Sequence, residues 1–239
     1  MPEVVYTNGN KHYYLSCKEK NMKFENAKKG IKRVYNAEIL SIIAAIIAIV
    51  AAVLLLVLGK AAKEGKANIT DVISLISLIA AGIIGIVSYF LNIAGILAAS
   101  KDSEDFKNAL YTLIVGIVAS ILSTALASKA SSISNALSVT ENICELLVAY
   151  YVINGCTNIA HQLGKADVEE TGKKTMKLFL TVWIISIVVQ ALGKVLARLS
   201  QESLVLSIIS SLLAIAALVL GLICYIIYLK LLRKTIDII

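Results

Sequence analysis

An uninterrupted apolar segment at residues 72–99 constrains this chain more than any other feature. The segment is 28 residues long and contains neither a charged residue nor a proline. About 20 helical residues are enough to span the hydrocarbon core of a bilayer, whereas a helix of a soluble domain rarely exceeds about 20 residues. The segment therefore predicts a transmembrane helix.

The composition supports the same environment. The chain of 239 residues is 58% hydrophobic and 16% charged, with a mean hydropathy of +0.82, whereas soluble domains are about 45–50% apolar and about 25% charged. The net charge of +7 comes from residues that flank apolar runs, which favours lipid headgroups over nucleic acid as the partner. The four cysteines have neither metal-ligand nor disulfide-framework spacing.

The first 21 residues differ from the rest of the chain, because they are polar and contain no early apolar run typical of a secretory signal. The triplet Lys18-Glu19-Lys20 can be encoded by a purine-rich ribosome-binding sequence shortly before Met22. We hypothesise that residues 1–21 are a polar extension that is not translated naturally. Residues 22–36 are then predicted to form a basic amphipathic entry helix on the cytoplasmic side.

The remaining pattern predicts an all-α polytopic transmembrane bundle over residues 37–229, followed by a basic cytoplasmic tail at 230–239. A Ser/Ala-rich loop is expected around residues 128–138. The six predicted spans are 37–58, 72–99, 109–127, 143–163, 178–196 and 203–229.

The distribution of basic residues predicts the orientation of these spans. With six spans, both termini lie on the same side of the membrane as the connectors at 100–107 and 161–177. That side carries 17 of the 23 lysines and arginines. Because cytoplasmic loops are enriched in Lys and Arg, both termini are predicted to be cytoplasmic.

Internal similarity suggests that the spans form three helical hairpins in parallel repeat. The segment Phe24-Glu25-Asn26-Ala27 opens the first hairpin, and Phe106-Lys107-Asn108-Ala109 opens the second. The ends of the second and fourth spans share a Tyr-x-x-Asn pattern, at Tyr89 and Tyr151. Apolar helices also resemble each other by composition alone, and that alternative stays open here.

A stripe of small and polar residues follows one face of the second span, at spacings of three or four. Its members are Ser77, Ala81, Gly85, Ser88 and Asn92. Small residues let transmembrane helices approach closely, so we interpret the stripe as a helix-packing face. The alternative is a polar pathway lined by serines.

The fourth span carries the candidate intramembrane polar site. Its members are Glu145, Tyr151, Asn154, Asn158 and His161. Ionisable groups within a span are costly and mark a function or a buried partner. Glu145 could therefore be an ion-coupling carboxylate, or an interfacial residue paired with Lys194 in the fifth span.

An enzymatic function is the weakest of the alternatives. The pair Glu169-Glu170 faintly resembles the paired-glutamate motif of membrane-embedded prenyl-end proteases, but it lies in a charged connector. The chain contains only two histidines, His12 and His161, and it lacks the common hydrolase and nucleotide-binding motifs. We therefore predict no catalytic residue, no metal site and no cofactor.

Residues 22–40, the Phe-x-Asn-Ala opening and the Tyr-x-x-Asn span ends resemble a loose class of small polytopic membrane proteins of Gram-positive bacteria. The resemblance implies a multi-pass protein of the bacterial plasma membrane and carries no activity or site residues with it.

These features predict a non-enzymatic scaffold, immunity-type or accessory subunit that acts by helix–helix contact. Its partner would be another membrane protein or a second copy of the chain. The alternative is a small-solute or ion transporter that uses the polar stripe of the fourth span.

Overall fold

The structure, a computed structural model, describes residues 24–58, 69–199 and 204–239. Within helices, the side chains at 55–58, 69–71, 190–191, 193–199, 204–211 and 214 lie outside that description. The hypothesis about residues 1–21 also falls outside the described residues. The helices are α1 (Glu25–Leu58), α2 (Ile69–Ala99), α3 (Glu104–Leu126), α4 (Ser131–Gln162), α5 (Ala166–Leu199) and α6 (Leu204–Ile238).

Five of these six helices are long and apolar enough to cross a membrane, namely α1, α2, α3, α4 and α6. Their outward faces carry large apolar side chains, such as Ile49, Phe90 and Ile121, each more than 60% exposed. A soluble protein rarely exposes so much contiguous apolar surface. The chain is therefore a helical, multi-pass membrane protein.

The predicted fifth span, residues 178–196, lies within α5, but the side chains at 190–191 and 193–196 are outside the described residues. The fifth span therefore stays a prediction.

The helices follow one another around a ring. Each helix packs on the next along the chain, α6 returns to pack on α1, and α4 also contacts α6. The most extensive packing joins α1 to α2, α3 to α4, and α5 to α6. The ring leaves space between the helices, and that space holds the candidate site.

The tightest packing lies where α1, α3 and α5 begin and where α2, α4 and α6 end, which we call the basal end. Large apolar side chains meet there with almost no exposure, among them Phe24, Ile31, Phe106, Ile153 and Leu231. Asp102, in the turn between α2 and α3, accepts hydrogen bonds from the Asn26 amide (2.9 Å) and the Ala27 backbone N–H (2.8 Å). This carboxylate therefore stabilises the N-terminus of α1.

Close helix crossings in this region depend on glycine. A Cβ on Gly30 would lie 2.5 Å from the Gly95 carbonyl oxygen, and a Cβ on Gly95 would lie 2.7 Å from that of Gly30. Gly155 likewise leaves room for the ring of Phe106. Gly164, with φ +68°, ends α4 in a Schellman motif, with a bond from the Lys165 N–H to the Ala160 carbonyl.

The expected Ser/Ala-rich loop at 128–138 is wrong, because α4 already begins at Ser131. The Ser134 hydroxyl donates to the Ser123 carbonyl (2.9 Å), and the Ser123 hydroxyl lies 3.0 Å from the Ser134 carbonyl. These bonds join the end of α3 to the start of α4. Serine at this contact supports helix packing instead of a loop.

Candidate functional site in the central cavity

A cavity of about 490 Å³ lies inside the ring of helices, and every helix contributes to its wall. It extends from Val152 to Glu141 along α4, which is about 16 Å at the rise of an α-helix. Most of the wall is aliphatic or aromatic. The polar and charged residues of the wall are Glu38, Tyr89, Asn92, Ser120, Glu141, Glu145, Ser186, Tyr225 and Tyr228.

Glu38 of α1 is the centre of a hydrogen-bonded cluster at the basal side of the cavity. The Tyr225 hydroxyl of α6 lies 2.5 Å from Glu38 Oε2 and 3.1 Å from the Glu38 carbonyl oxygen. The Asn92 amide of α2 donates to Glu38 Oε1 over 3.4 Å. Three helices therefore converge on one carboxylate.

Neighbouring contacts fix Glu38 in this position. One turn along α1, the Ser41 hydroxyl contacts the Ser88 hydroxyl (2.7 Å), and Ser88 also donates to the Ala37 carbonyl (2.6 Å). Ala37 and Ser88 are buried. The α1–α2 contact on either side of Glu38 is thus closely packed, and it directs the intervening side chain towards Asn92 and Tyr225.

The Asn92 carbonyl oxygen is buried, and it has no hydrogen-bond partner among the described residues. Its orientation follows from the amide nitrogen, which faces Glu38 Oε1. A buried acceptor without a donor costs about 1–3 kcal/mol. This oxygen is therefore a place where a bound donor would stabilise the site.

Two further carboxylates, Glu141 and Glu145, line the cavity farther from the basal end. They are four residues apart on α4, so they lie on the same helix face. None of the described residues that line the cavity is a lysine or an arginine. The side chain of Lys194, the predicted partner of Glu145, lies outside the described residues. Among the described residues, none of the ion pairs involves Glu38, Glu141 or Glu145.

Aromatic side chains complete the wall. They are Tyr89, Phe179, Trp183, Tyr225 and Tyr228. The rings of Tyr225 and Tyr228 are 6.2 Å apart, and Tyr228 is buried. Trp183 is the single tryptophan of the chain. Aromatic faces attract cations, so these rings and the carboxylates favour the same sign of charge.

The structure separates the residues of the predicted polar stripe on α4. Only Glu145 lines the cavity. Asn154 and Asn158 each donate to Asp105 at the start of α3, over 2.7 Å. Tyr151 packs edge-on against Tyr150 and beside the basal core. Asn154 and Asn158 therefore connect α4 to α3, and none of the three residues lines the cavity with Glu145.

His161 lies at the end of α4 and contacts Glu169 of α5 over 3.0 Å. Glu169 also accepts a hydrogen bond from Lys173, and Glu170 forms an ion pair with Lys174. The hydrogen bond from Lys173, followed by that from His161, lowers the pKa of Glu169. The pKa of Glu170 is likewise lowered by the hydrogen bond from Lys174. This glutamate pair belongs to surface ion pairs at the basal end.

The residues of the predicted packing stripe on α2 also lie in different environments. Ala81 and Ser88 are buried, whereas the Ser77 hydroxyl donates to the Ile73 carbonyl of its own helix. A Cβ on Gly85 would meet no atom within 4 Å. Asn92 belongs to the cavity wall and to the Glu38 cluster.

Sequence reasoning missed Glu38 and Tyr225. Glu38 lies at the start of the first predicted span, where a charge is unremarkable, and Tyr225 is 187 residues away. The available signal was the Tyr-x-x-Asn pattern that ends at Asn92, together with Tyr225 and Tyr228 near the end of the last span. The described residues contain no group of three or more His, Cys, Asp or Glu placed to hold a metal ion.

Comparison with known proteins identifies no relative of this chain. No family model, curated protein or solved structure matches the chain. Its function therefore has to be argued from the cavity and the helices around it.

Proposed function

We propose that this protein binds a small organic cation in the cavity between its helices and carries it across the membrane. The observation that supports the proposal is the charge of the cavity wall, which has three carboxylates and, within the described part of the chain, no basic residue. Among the sequence-based alternatives, this favours the transporter, with Glu38 added to Glu145 as a binding carboxylate.

The energetics of the cavity favour a cationic ligand. Carboxylates within the apolar part of a membrane protein are costly unless they are paired, and like charges four residues apart on a helix repel each other. A bound cation would offset part of the unpaired negative charge of the cavity. A cavity of about 490 Å³ is within the usual size of small-molecule sites.

The cation would enter a bundle of six spans that includes α5. Support for α5 as a span comes from Phe179, Val182 and Trp183, which line the cavity beside residues of the other five helices. Lys177, at the start of the apolar stretch, would place its charged end in the headgroup region.

The three-hairpin parallel repeat belongs to the same proposal. Phe24 and Phe106, at equivalent positions of the first two hairpins, are both almost fully buried, as are Ala27 and Ala109. The extensive packing of α1 on α2, α3 on α4, and α5 on α6 also supports it.

The proposed orientation places the basal end in the cytoplasm of a bacterial cell. Basic residues concentrate there, as the positive-inside rule requires. Those described by the structure are Lys28, Lys29, Lys32, Arg33, Lys101, Lys107, Lys165, Lys173, Lys174, Lys177, Lys230, Arg233 and Lys234. The resemblance to membrane proteins of Gram-positive bacteria supports the plasma membrane as the location.

A counterflow experiment tests the proposed transport without requiring a known driving force. Proteoliposomes preloaded with unlabelled 4-phenylbutyltrimethylammonium, a permanent cation, should take up the tritiated compound saturably. Glu38→Gln should reduce the rate at least tenfold, whereas Asp167→Asn, a change outside the cavity wall, should not. Uptake equal to that of protein-free liposomes, or unaffected by Glu38→Gln, would overturn the proposal.

A contact scaffold remains the second candidate, and Gly82 and Gly85 on α2 favour it. A Cβ at either glycine would meet no atom within 4 Å, so this small-residue surface is free for another transmembrane helix. Cross-linking in native membranes tests the scaffold. Loss of a cross-linked partner in Gly85→Leu, together with no cation uptake by the parent protein, would favour the scaffold over the carrier.

A further inference from the structure

We infer that the cation is a protonated amine with an apolar body, whose ammonium group binds between Glu38 and the Asn92 carbonyl oxygen. The inference rests on the proposed function and specifies its substrate class. It distinguishes an ammonium with N–H donors from a quaternary cation of the same charge on the same phenylbutyl chain.

Unused acceptors on the basal side of the cavity define this subsite. A carboxylate offers about four acceptor positions, and Glu38 receives the Tyr225 hydroxyl and a long bond from Asn92. The Asn92 carbonyl oxygen is buried and lacks a donor within the described part of the chain. Glu38 therefore presents acceptors and negative charge to the cavity, and the neighbouring Asn92 carbonyl oxygen, which has almost no accessible surface, would reach a bound donor by a small rotation of its amide.

An alkylammonium matches these acceptors in number and in charge. It carries three N–H donors and one positive charge. One donor would reach Glu38, a second would satisfy the Asn92 carbonyl oxygen, and the face of Tyr225 or Tyr228 would stabilise the charge. A quaternary ammonium could use only the charge and the aromatic faces.

The rest of the wall specifies the apolar body. Beyond Glu38 and Asn92, the cavity is lined by Leu113, Ile117, Val148, Val152 and Phe179. These side chains supply no coordinating atoms for a metal ion, and they would bury a phenyl or alkyl group favourably. An organic amine therefore fits the whole cavity better than a hydrated inorganic cation.

Displacement of the tritiated quaternary cation tests the inference on the intact, detergent-solubilised protein. The competitors share one carbon skeleton: 4-phenylbutylamine as the ammonium, unlabelled 4-phenylbutyltrimethylammonium, and the neutral 4-phenylbutanol. The ammonium should bind at least tenfold more tightly than the quaternary cation, because bonds to a buried charged acceptor are lost in the latter. The alcohol should bind more weakly than both.

Two variants test whether Asn92 causes the preference for the ammonium over the quaternary cation. In Asn92→Leu, the preference for the ammonium over the quaternary cation should fall several-fold, because the bond to the Asn92 carbonyl oxygen is lost and that to Glu38 remains, while the affinity for the quaternary cation changes little. Ser77→Ala is the matched control on α2, because its hydroxyl bonds only within its own helix, and it should preserve the difference. The comparison of ligands on the parent protein remains decisive even where Asn92→Leu fails to fold.

The outcomes separate this inference from the proposed function. Equal affinities for the two cations, with weaker binding of the alcohol, would overturn the ammonium subsite and leave the cation carrier standing. An undiminished preference for the ammonium in folded Asn92→Leu would overturn the assignment to Asn92. The absence of binding by either cation would overturn both proposals.

Discussion

At the scale of single residues, Asp105 is the anchor between α3 and α4. Its two carboxylate oxygens receive the amides of Asn154 and Asn158, each over 2.7 Å. Asp105→Ala should lower the free energy of unfolding by about 2 kcal/mol, since two hydrogen bonds to a charged acceptor are lost. Thermal unfolding of the purified protein measures the effect. Asp167→Ala, at the corresponding first turn of α5, is the control, and an equal loss in both variants would contradict the anchoring role.

Glu169 gives a prediction of pH dependence. Hydrogen bonds from Lys173 and His161 lower the pKa of this carboxyl in the folded protein. Its contribution to stability is therefore present above the unfolded-state pKa, which is about 4.3 for glutamate. The contribution is lost as the pH falls through the lowered pKa of the folded state.

The stability difference between the parent protein and Glu169→Gln should consequently be largest near neutral pH, begin to shrink below the unfolded-state pKa of about 4.3, and disappear once the pH has fallen through the lowered pKa of the folded state. Unfolding temperatures measured across this pH range check the prediction. Glu170→Gln should have the smaller effect, because the Glu170 side chain is 66% exposed, against 20% for Glu169. A difference that grows towards acid pH would contradict the ion-pair role.

At the scale of residues, the sequence predicts only those contacts that follow from the spacing of residues along one helix. The spacing of Asn154 and Asn158 predicts one helix face, and the structure places both on the same partner, Asp105. The pairing of Glu38 with Tyr225 could not be predicted, because it depends on how α6 returns to α1. The spacing of residues along one helix carries no information about that return.

At the scale of helices, the crossing of α1 and α2 depends on Gly30 and Gly95. A Cβ on Gly30 would lie 2.5 Å from a backbone carbonyl oxygen and 2.6 Å from the backbone nitrogen of Ala99. The backbone cannot yield as a flexible side chain would. Gly30→Ala should therefore separate the two helices and lower the unfolding temperature by several degrees.

Gly82→Ala is the matched control for this crossing. It lies on the same helix pair, and its Cβ would meet no atom within 4 Å. Alanine also has the higher helix propensity, by up to about 1 kcal/mol. Gly82→Ala should thus leave the stability unchanged or slightly raised, and an equal loss in both variants would show that the crossing is not the cause.

The helices themselves were largely predictable from their apolar runs, since all six exist where the sequence predicts spans. The ends of the helices were less predictable. Helix α4 begins at Ser131 because serine hydroxyls of α3 and α4 bond to each other across the turn. Serine runs suggest loops in water, but the same residues support helix contacts in a membrane protein.

At the scale of the whole molecule, the proposed orientation can be tested with introduced cysteines. Lys165, between α4 and α5, is at the basal end, and Lys129, between α3 and α4, is at the opposite end. In a background with the native cysteines replaced, a membrane-impermeant maleimide applied to intact bacterial cells should label Lys129→Cys and not Lys165→Cys. Permeabilised cells should label both, and the reverse pattern in intact cells would contradict the orientation.

The ring of helices brings together residues that no local pattern connects, and these residues line the cavity. Trp183 lines this cavity and is the only tryptophan in the chain. Its fluorescence therefore reports on one site.

The most direct measurement is titration of Trp183 fluorescence with 4-(4-bromophenyl)butyltrimethylammonium, since bromine quenches indole emission at close contact. We predict saturable quenching that the unbrominated cation prevents by competition and that Glu38→Gln weakens at least tenfold. Displacement of the tritiated cation without quenching of Trp183, or no saturable quenching, would show that the cavity is not the cation site.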